Sequence, residues 1–250
     1  MKKVFNTVWA VWVALWFVVT AIFAFLGFII SFNFFRDKRA FNAGVLTSRL
    51  WSAAFLYGIL MPVKAHNKNI VEKDKVYVVI SNHLSQLDIP ASLVIAPLTY
   101  RFLSKKEVEK MPVVRYPLKR LHLLVDRKSR ESRAESQRRM KDSLAEGISI
   151  IIFPEGTRNP GPGLTKEFYN GAFKLAVETG TPIIVQTVVD TWERQNAHMG
   201  FQFSPGPINI YFDGPISTTD LADDDIHTLK ARVRDIMEEH LRAKYGESLL

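Results

Sequence analysis

Residues 76–88 decide how the rest of the sequence is interpreted, and they read Val76-Tyr77-Val78-Val79-Ile80-Ser81-Asn82-His83-Leu84-Ser85-Gln86-Leu87-Asp88. The first five residues form an apolar run with the length of a buried β-strand. A histidine stands just beyond this run, and an aspartate follows five residues later. On a continuous helix that separation places two side chains about 140° apart, whereas a strand-to-helix turn can bring them together. The stretch therefore predicts a buried strand that ends in a polar turn.

His83 and Asp88 suit a pair in which a carboxylate holds an imidazole. A carboxylate bonded to one ring nitrogen fixes the tautomer and leaves the other nitrogen to accept a proton. The neighbouring residues contain no nucleophile motif, so the pair is expected to activate a hydroxyl group of the substrate itself. Two structural alternatives remain open from the residues alone. Ser85-x-x-Asp88 also matches a capping box that ties down a helix start, and His83 also fits an ordinary histidine at a strand end.

The composition limits which kinds of site the chain can build. A length of 250 residues allows one sizeable domain with an appendage. The chain has no cysteine, which excludes a disulfide framework, a thiolate metal site and a cysteine nucleophile. We expect neither a metal ion nor a resident cofactor.

The distribution of charge favours a membrane surface over nucleic acid as a partner. The net charge is +8, and residues 1–65 contain seven basic residues and a single acid, Asp37. The positive excess therefore lies beside the most apolar part of the chain, a pattern that suits an anionic membrane surface. Motifs of nucleic-acid-binding modules are missing, so no nucleic-acid partner is expected.

Two apolar segments near the N-terminus predict membrane-embedded helices. Val8–Ile30 has 23 residues without a charge, and about 20 such residues span a bilayer. The charged segment Arg36–Arg39 interrupts the pattern, and Leu50–Val63 is apolar again but shorter than a span. The residues allow either one transmembrane span or a helical hairpin in one leaflet. The more basic second flank favours a catalytic domain on the cytoplasmic side of the cell membrane.

From about Ala65 onward the pattern is that of an α/β domain. Strands are predicted at 76–80, 100–103, 121–125, 148–153, 182–189 and 208–212, and helices at 88–98, 105–110, 129–146, 171–179 and 226–245. Because strands alternate with helices, we expect a mixed, largely parallel sheet flanked by helices. The predicted division is a membrane-embedded helical segment at 1–64 and the α/β domain at 65–250.

Two further strand exits end in charged residues, Asp126-Arg127 and Glu155-Gly156-Thr157-Arg158. Sites in open α/β sheets gather at the carboxyl ends of strands. Arginine binds phosphate through two parallel hydrogen bonds, and Gly156 permits close approach of the backbone to a ligand. The alternative for Glu155 and Arg158 is a local salt bridge within a tight turn.

Together these residues resemble the glycerolipid acyltransferase family, whose best-known members are the 1-acylglycerol-3-phosphate acyltransferases. The signatures of that family are Asn-His-x4-Asp, hydrophobic-Asp-Arg, Phe-Pro-Glu-Gly-Thr-Arg and a proline-led apolar strand. They are matched in order by Asn82-His83 with Asp88, Val125-Asp126-Arg127, Phe153–Arg158 and Pro182-Ile183-Ile184-Val185. The resemblance covers about residues 65–213.

The resemblance implies a reaction and a set of site residues. An acyl group would pass from acyl-CoA or an acylated acyl carrier protein to the sn-2 hydroxyl of lysophosphatidic acid, giving phosphatidic acid for phospholipid biosynthesis. His83 would be the general base and Asp88 would orient it. The substrate-binding residues would be Lys105, Arg127, Glu155, Gly156, Thr157 and Arg158. Membrane lipids would be further partners, and Lys105 also fits a solvated helix face.

Three positions depart from the usual pattern of the family. Leu121 stands where a glycine is usual, Asn159 replaces a serine, and Tyr169 replaces a lysine for which Lys166 is the nearest substitute. Other lysophospholipids or amino-acid lipids therefore remain alternative acceptors, and a non-catalytic phospholipid-binding module is the alternative to an enzyme. A hydrolase is not favoured, because neither a Gly-x-Ser-x-Gly elbow nor a His-Glu-x-x-His motif occurs.

Overall fold

The computed structural model describes residues 2–96, 98–110, 112–126, 129–159, 161, 165–196 and 203–246. The α-helices are α1 (Lys2–Asn33), α2 (Asp37–Gly58), α3 (Asp88–Ile95), α4 (Pro112–Leu121), α5 (Arg130–Ala145), α6 (Gly171–Thr179), α7 (Thr191–Arg194) and α8 (Ile226–Tyr245). The strands are β1 (Val63–His66), β2 (Val78–Ser81), β3 (Tyr100–Lys105), β4 (Leu123–Val125), β5 (Ser149–Ile152), β6 (Ile183–Val189) and β7 (Ile208–Ile216). Short 3-10 helices occur at Lys68–Ile70, Lys106–Lys110 and Asp223–Asp225.

The strands form a sheet in the order β1-β7-β6-β2-β5-β3-β4. Strand β2 is central and pairs in parallel with β5 and β6, while β3 pairs in parallel with β5 and β4. The register places Ile80 beside Ile152 and Lys105 beside Val125, so the carboxyl ends of neighbouring strands lie next to one another. The predicted mixed, largely parallel sheet is confirmed.

The chain divides into two compact units. The first consists of Met1–Ala65, Leu84–Ala96 and Val188–Ile210, and the second consists of His66–His83, Pro97–Thr187 and Tyr211–Leu250. The core of the second unit lies between the strands and the helices α5, α6 and α8. Its buried residues include Val78, Ile80, Ile150, Ile152, Ile183, Val185, Met140, Phe173, Leu175, Val233 and Met237.

The helices of this core follow their sequence patterns closely. The apolar side chains that α8 presents to this core are buried at Ile226, Leu229, Val233 and Met237, and Ile236 is partly buried. Gly147 after α5 has φ +81°, and Gly180 after α6 has φ +60°. These are left-handed conformations, which glycine adopts without the steric cost that a Cβ brings, and they end the helices where the sequence predicts.

In the first unit, α1 and α2 pack as a helical hairpin. The indole N–H of Trp12 donates to the carbonyl of Gly58 at 3.1 Å, and that of Trp16 donates to Ala54 at 3.0 Å. Gly58 permits this contact, because a Cβ at that position would lie 2.0 Å from Nε1 of Trp16. The second apolar segment therefore lies against the first.

Among the described residues, the stretch Asn6–Asn33 of α1 is long and apolar enough to cross a membrane, with a mean hydropathy of 2.7. Large apolar side chains on this helix, such as Leu15 and Phe23, are more than half exposed. Such exposure is unfavourable in water, because apolar surface is stabilised by removal from water. The helix therefore has the surface expected of a membrane-embedded element.

Two elements begin or end at residues other than those that the sequence predicts. Helix α2 starts at Asp37 and stops at Gly58, because Leu60 adopts φ +55° and the N–H of Met61 turns back to the carbonyl of Leu56 at 2.8 Å. The chain then forms β1, which the prediction of a helix to Val63 missed. Leu121 ends α4 instead of starting a strand.

Candidate active site

His83 lies at the point where the central strand β2 leaves the sheet. Ser81 and Asn82 before it are buried, and His83 itself is half-buried. Its ring stacks on that of Phe153, which follows β5, with ring centroids 4.3 Å apart and an interplanar angle of 23°. Because β2 and β5 are parallel neighbours, the two signature segments leave the sheet at the same edge. The contact therefore follows from the sheet register.

Glu155 binds the backbone of His83. Its carboxylate atom Oε1 accepts the N–H of His83 at 2.9 Å, and Oε2 accepts the N–H of Lys166 at 3.1 Å. The N–H of Asn159 donates to the carbonyl of His83 at 2.6 Å. Glu155 is 3% exposed, so these bonds compensate a buried carboxylate. Both backbone groups of His83 are thus held, the N–H by Glu155 within the Phe-Pro-Glu-Gly-Thr-Arg segment and the carbonyl by Asn159 directly after it.

The turn after Glu155 has the conformation that its glycine predicts. Gly156 is buried and has φ +72°. Its N–H donates to the carbonyl of Phe153 at 3.1 Å and so belongs to the turn itself. Within the described part of the chain, the N–H of Thr157 has no acceptor. Among the described residues, the N–H of Thr157 is therefore available to donate, whereas the N–H of Gly156 is already used.

Two cationic side chains meet at this turn, one from the turn itself and one from further along the chain. Arg158 and Thr157 are both exposed. The ammonium group of Lys166 donates to the hydroxyl of Thr157 and to the carbonyl of Arg158, both at 3.1 Å. Lys166 therefore brings a positive charge to the signature segment from a position eight residues beyond it. The exposed cations can pair with an anionic group that approaches from solvent.

The remaining predicted cation sites lie one strand further out. Lys105 ends β3, is exposed, and is in register with Val125 at the end of β4. The N–H of Asp126 then donates to the hydroxyl of Ser132 at 2.9 Å, which fixes the exit of β4. Arg127, the other predicted phosphate ligand, lies outside the described residues.

Asp88 belongs to the first unit and is fully buried there. Its Oδ2 accepts the N–H groups of Leu84 and Ser85, both at 2.8 Å, and its Oδ1 accepts the hydroxyl of Thr191 at 2.6 Å. The hydroxyl of Ser85 accepts the N–H of Leu87 at 3.2 Å. The carboxylate thus holds the turn that leads into α3, and of the Ser85-x-x-Asp88 capping box the bond from the N–H of Ser85 to Asp88 is present.

Thr191 and Gln195 are the residues that the sequence analysis missed. Thr191 is 103 positions from Asp88, and Gln195 accepts the hydroxyl of Ser85 through its backbone carbonyl from 110 positions away. Both follow β6, the strand that the fourth signature predicts. Their position after that strand, together with their polar side chains, is the sequence feature that could have identified Thr191 and Gln195 as site residues.

Comparisons with known proteins place these segments in a wider context. The family model described as Acyltransferase matches residues 62–189. The 1-acyl-sn-glycerol-3-phosphate acyltransferase alpha of Mus musculus is 30% identical over 81% of this chain and 70% of its own length. The chloroplast 1-acyl-sn-glycerol-3-phosphate acyltransferase BAT2 of Brassica napus is 26% identical over 76% of this chain, which spans about half of that protein, 54% of its length.

A solved structure has the same fold. The 1-acyl-sn-glycerophosphate (LPA) acyltransferase PlsC from Thermotoga maritima superposes with a TM-score of 0.83 over 99% of both chains, at 22% identity.

Proposed function

The chain belongs to the acyltransferase family, and we propose that it transfers an acyl group from a thioester to the sn-2 hydroxyl of 1-acyl-sn-glycerol-3-phosphate. The product would be phosphatidic acid, a precursor in phospholipid biosynthesis. The observation that carries the proposal is the pair of backbone hydrogen bonds that Glu155 and Asn159 make to His83. These bonds hold the Asn82-His83 segment against the segment that begins at Phe153 and carries Arg158. A binding module would not need an imidazole positioned in this way.

His83 is the general base in the proposed reaction. Its imidazole takes the proton of the acceptor hydroxyl as the oxygen attacks the thioester carbonyl. A C–O bond forms, the C–S bond breaks, and the proton passes from the imidazole to the departing thiolate. The chain has no cysteine, and we expect direct transfer without an acyl-enzyme. The N–H of Thr157 is the donor that we assign to the tetrahedral oxyanion.

Asp88 orients the imidazole and stabilises its protonated form in this scheme. Support comes from the donors that surround the carboxylate. It accepts hydrogen bonds from the N–H groups of Leu84 and Ser85 and from the hydroxyl of Thr191. These bonds offset the free-energy cost of burying a charged carboxylate.

The phosphate of the acceptor is assigned to the cations at the neighbouring strand exits. Lys105, Arg158 and Lys166 are described there, and the family signature adds Arg127. Two-point binding by arginine fixes orientation as well as position, which brings the hydroxyl of the acceptor to His83. Glu155, Gly156 and Thr157 shape the turn that presents Arg158.

The acceptor and the product are both lipids, so the site has to work at a bilayer. We propose that α1 and α2 attach the protein to the cell membrane with the α/β domain at 65–250 on the cytoplasmic side. Lys2, Lys3, Lys38 and Arg39 flank the apolar segments and suit anionic head groups. The donor is acyl-CoA or acylated acyl carrier protein, and no resident cofactor takes part.

A transfer assay on the full chain in liposomes tests the proposal. The acceptors are 1-acyl-sn-glycerol-3-phosphate and a matched monoacylglycerol that lacks the phosphate, each with both thioester donors. We expect phosphate-dependent formation of phosphatidic acid, reduced roughly 10²- to 10⁴-fold in His83→Ala. His227→Ala, at an exposed position on α8, is the control and should keep full activity. Equal rates with both acceptors, or an active His83→Ala, would contradict the assignment.

A further inference from the structure

A polar cavity of about 320 Å³ lies in the second unit, beside the edge strand β4. It is formed by β4, helices α4 and α5, and the 3-10 helix at Lys106–Lys110. Its polar lining consists of three cationic side chains, one carboxylate, one hydroxyl and one imidazole. These are Lys106, Lys119, Arg139, Glu109, Ser132 and His122. None of them has a part in the proposed acyl transfer.

The imidazole of His122 offers a hydrogen-bond donor to this cavity. Its Nδ1 accepts the backbone N–H of Phe102 at 3.2 Å. Burial, together with the charge of Arg101, lowers the pKa of His122 to about 3, so the ring is neutral and carries its single proton on Nε2. The side chain is 8% exposed, and Nε2 has no acceptor among the residues that the structure describes.

Ser132 supplies a second donor of the same kind. Its oxygen accepts the N–H of Asp126 at 2.9 Å, which leaves the hydroxyl hydrogen to be donated elsewhere. No acceptor for that hydrogen occurs in the described ranges of the chain. Two neutral donors therefore line one cavity, and a ligand with several acceptor oxygens would satisfy both.

The charges around the cavity are also incompletely balanced. Glu109 pairs with Lys119 at 3.1 Å, whereas Lys106 and Arg139 form no ion pair with described residues. The pKa of Arg101 is lowered by burial and by the nearby charge of Arg139, although Glu146 opposes this. Cations that repel one another here would be stabilised by an anion in the cavity.

We propose that this cavity binds a phosphate group, and that the group is the phosphate of the pantetheine arm that carries the acyl thioester. Arg139, Lys106 and the two neutral donors match the several acceptor oxygens of a phosphate. Glu109 lies in the same lining and is neutralised by Lys119.

The position of the cavity supports the second half of the proposal. The ring of His122 contacts that of Phe102 at 5.2 Å, Phe102 lies 6.1 Å from Phe153, and Phe153 lies 4.3 Å from His83. Two aromatic rings thus separate the cavity from the assigned base. A long, flexible arm held by its phosphate can deliver a thioester over such a distance. This assignment of the phosphate source rests on the proposed function.

Calorimetric titration of the full chain in detergent micelles tests the site without turnover. The probes are 4′-phosphopantetheine, pantetheine, glycerol 3-phosphate and inorganic phosphate. We expect 4′-phosphopantetheine to bind at least tenfold more tightly than pantetheine, and the double variant Lys106→Gln/Arg139→Gln to remove that difference. Lys141→Gln, on the same helix but paired with Glu178 outside the cavity, should retain it.

Two substitutions of His122 separate the donor from the structural acceptor. His122→Asn keeps an acceptor near the position of Nδ1 and removes the donor at Nε2. His122→Gln keeps a donor near the position of Nε2 and removes the acceptor at Nδ1. Weaker binding of 4′-phosphopantetheine to the asparagine variant, at an unchanged unfolding temperature, supports the site. Unchanged binding of 4′-phosphopantetheine to the asparagine variant overturns it.

The remaining outcomes also decide the proposal. Equal affinity for pantetheine and 4′-phosphopantetheine, or an unaffected double variant, overturns it. If inorganic phosphate or glycerol 3-phosphate binds in the cavity and 4′-phosphopantetheine does not, the acyl donor is not the source of the bound phosphate group. In turnover, the double variant should raise the KM for the donor about tenfold and leave the KM for the acceptor unchanged. A chain that binds 4′-phosphopantetheine but transfers no acyl group keeps the site and refutes the proposed function.

Discussion

Glu155 accepts the backbone N–H of His83 at 2.9 Å, although the two residues are 72 positions apart in the chain. The second oxygen of the same carboxylate accepts the N–H of Lys166 at 3.1 Å. One buried side chain therefore joins the segment of the proposed base to the segment of Lys166, a cation that we propose for the phosphate. Its role is to position other groups, and the hydrogen bonds that it accepts make this role testable.

Glu155→Gln should lower kcat and destabilise the protein. The amide retains one acceptor oxygen but places an NH₂ group against one of the two backbone donors. A buried donor left without a partner costs about 1–3 kcal/mol. Chemical unfolding in detergent and single-turnover transfer measure the two effects. Glu167→Gln, at an exposed position nearby, is the control. An unchanged kcat at reduced stability would mean that the contact with His83 serves the fold alone.

Thr191→Val should destabilise the protein by about 1–3 kcal/mol and reduce kcat, because Oδ1 of Asp88 loses its hydroxyl donor. Thr187→Val is a matched control, since Thr187 is equally buried and its hydroxyl has no partner in the described residues. That substitution removes an unsatisfied group and should leave stability within about 0.5 kcal/mol or raise it. Equal free energies of unfolding for the two variants would contradict a role for Thr191 in holding Asp88.

Lys166→Met should raise the KM for the phosphate-bearing acceptor about tenfold, which corresponds to about 1.4 kcal/mol. The variant loses a cation and two hydrogen bonds that fix Thr157 and Arg158. Steady-state kinetics with acceptors that do and do not carry a phosphate provide the measurement. Only the phosphate-bearing acceptor should respond. Lys174→Met, whose ammonium group pairs with Glu178, should behave like the unaltered protein.

Acid should destabilise the protein through His122. Its pKa is about 3 in the folded state and near 6.5 when the chain is unfolded, so only the unfolded chain binds the proton between these values. The contribution to stability is complete above pH 6.5 and falls by about 1.4 kcal/mol per pH unit down to about pH 3. The free energy of unfolding of His122→Asn, measured at several pH values, should lack this pH-dependent decrease. Parallel pH profiles of the two proteins would contradict the neutral buried imidazole.

The elements of the second unit were largely predictable from local pattern. The central buried strands contain short apolar runs, Val78-Val79-Ile80 in β2 and Ile150-Ile151-Ile152 in β5, and α8 has an apolar stripe with the helical period. Gly147 and Gly180 mark helix ends because each adopts a positive φ. The signature segments were equally predictable from the sequence, because the polar residues of each segment lie within a few positions of one another at the end of a strand.

The elements that were missed have weak or competing local signals. Strand β1 follows an apolar stretch that also suits the end of a helix, and the positive φ of Leu60 that separates the two is unusual for leucine. Helix α4 contains Pro117 and was read in part as a strand. At both places tertiary packing overrides local propensity.

The sequence by itself determined the class of the sheet, the apolar helices at the N-terminus and the identity of the residues that can do chemistry. Each of these depends on neighbours within a few positions along the chain. Only the tertiary structure decided which groups those residues contact. Thr191 reaches Asp88 from 103 positions away, Glu155 accepts the backbone of His83, and His122 is left with a donor facing a cationic cavity. Hydrogen bonds of this kind depend on the register of strands and the packing of helices, and no local pattern encodes either.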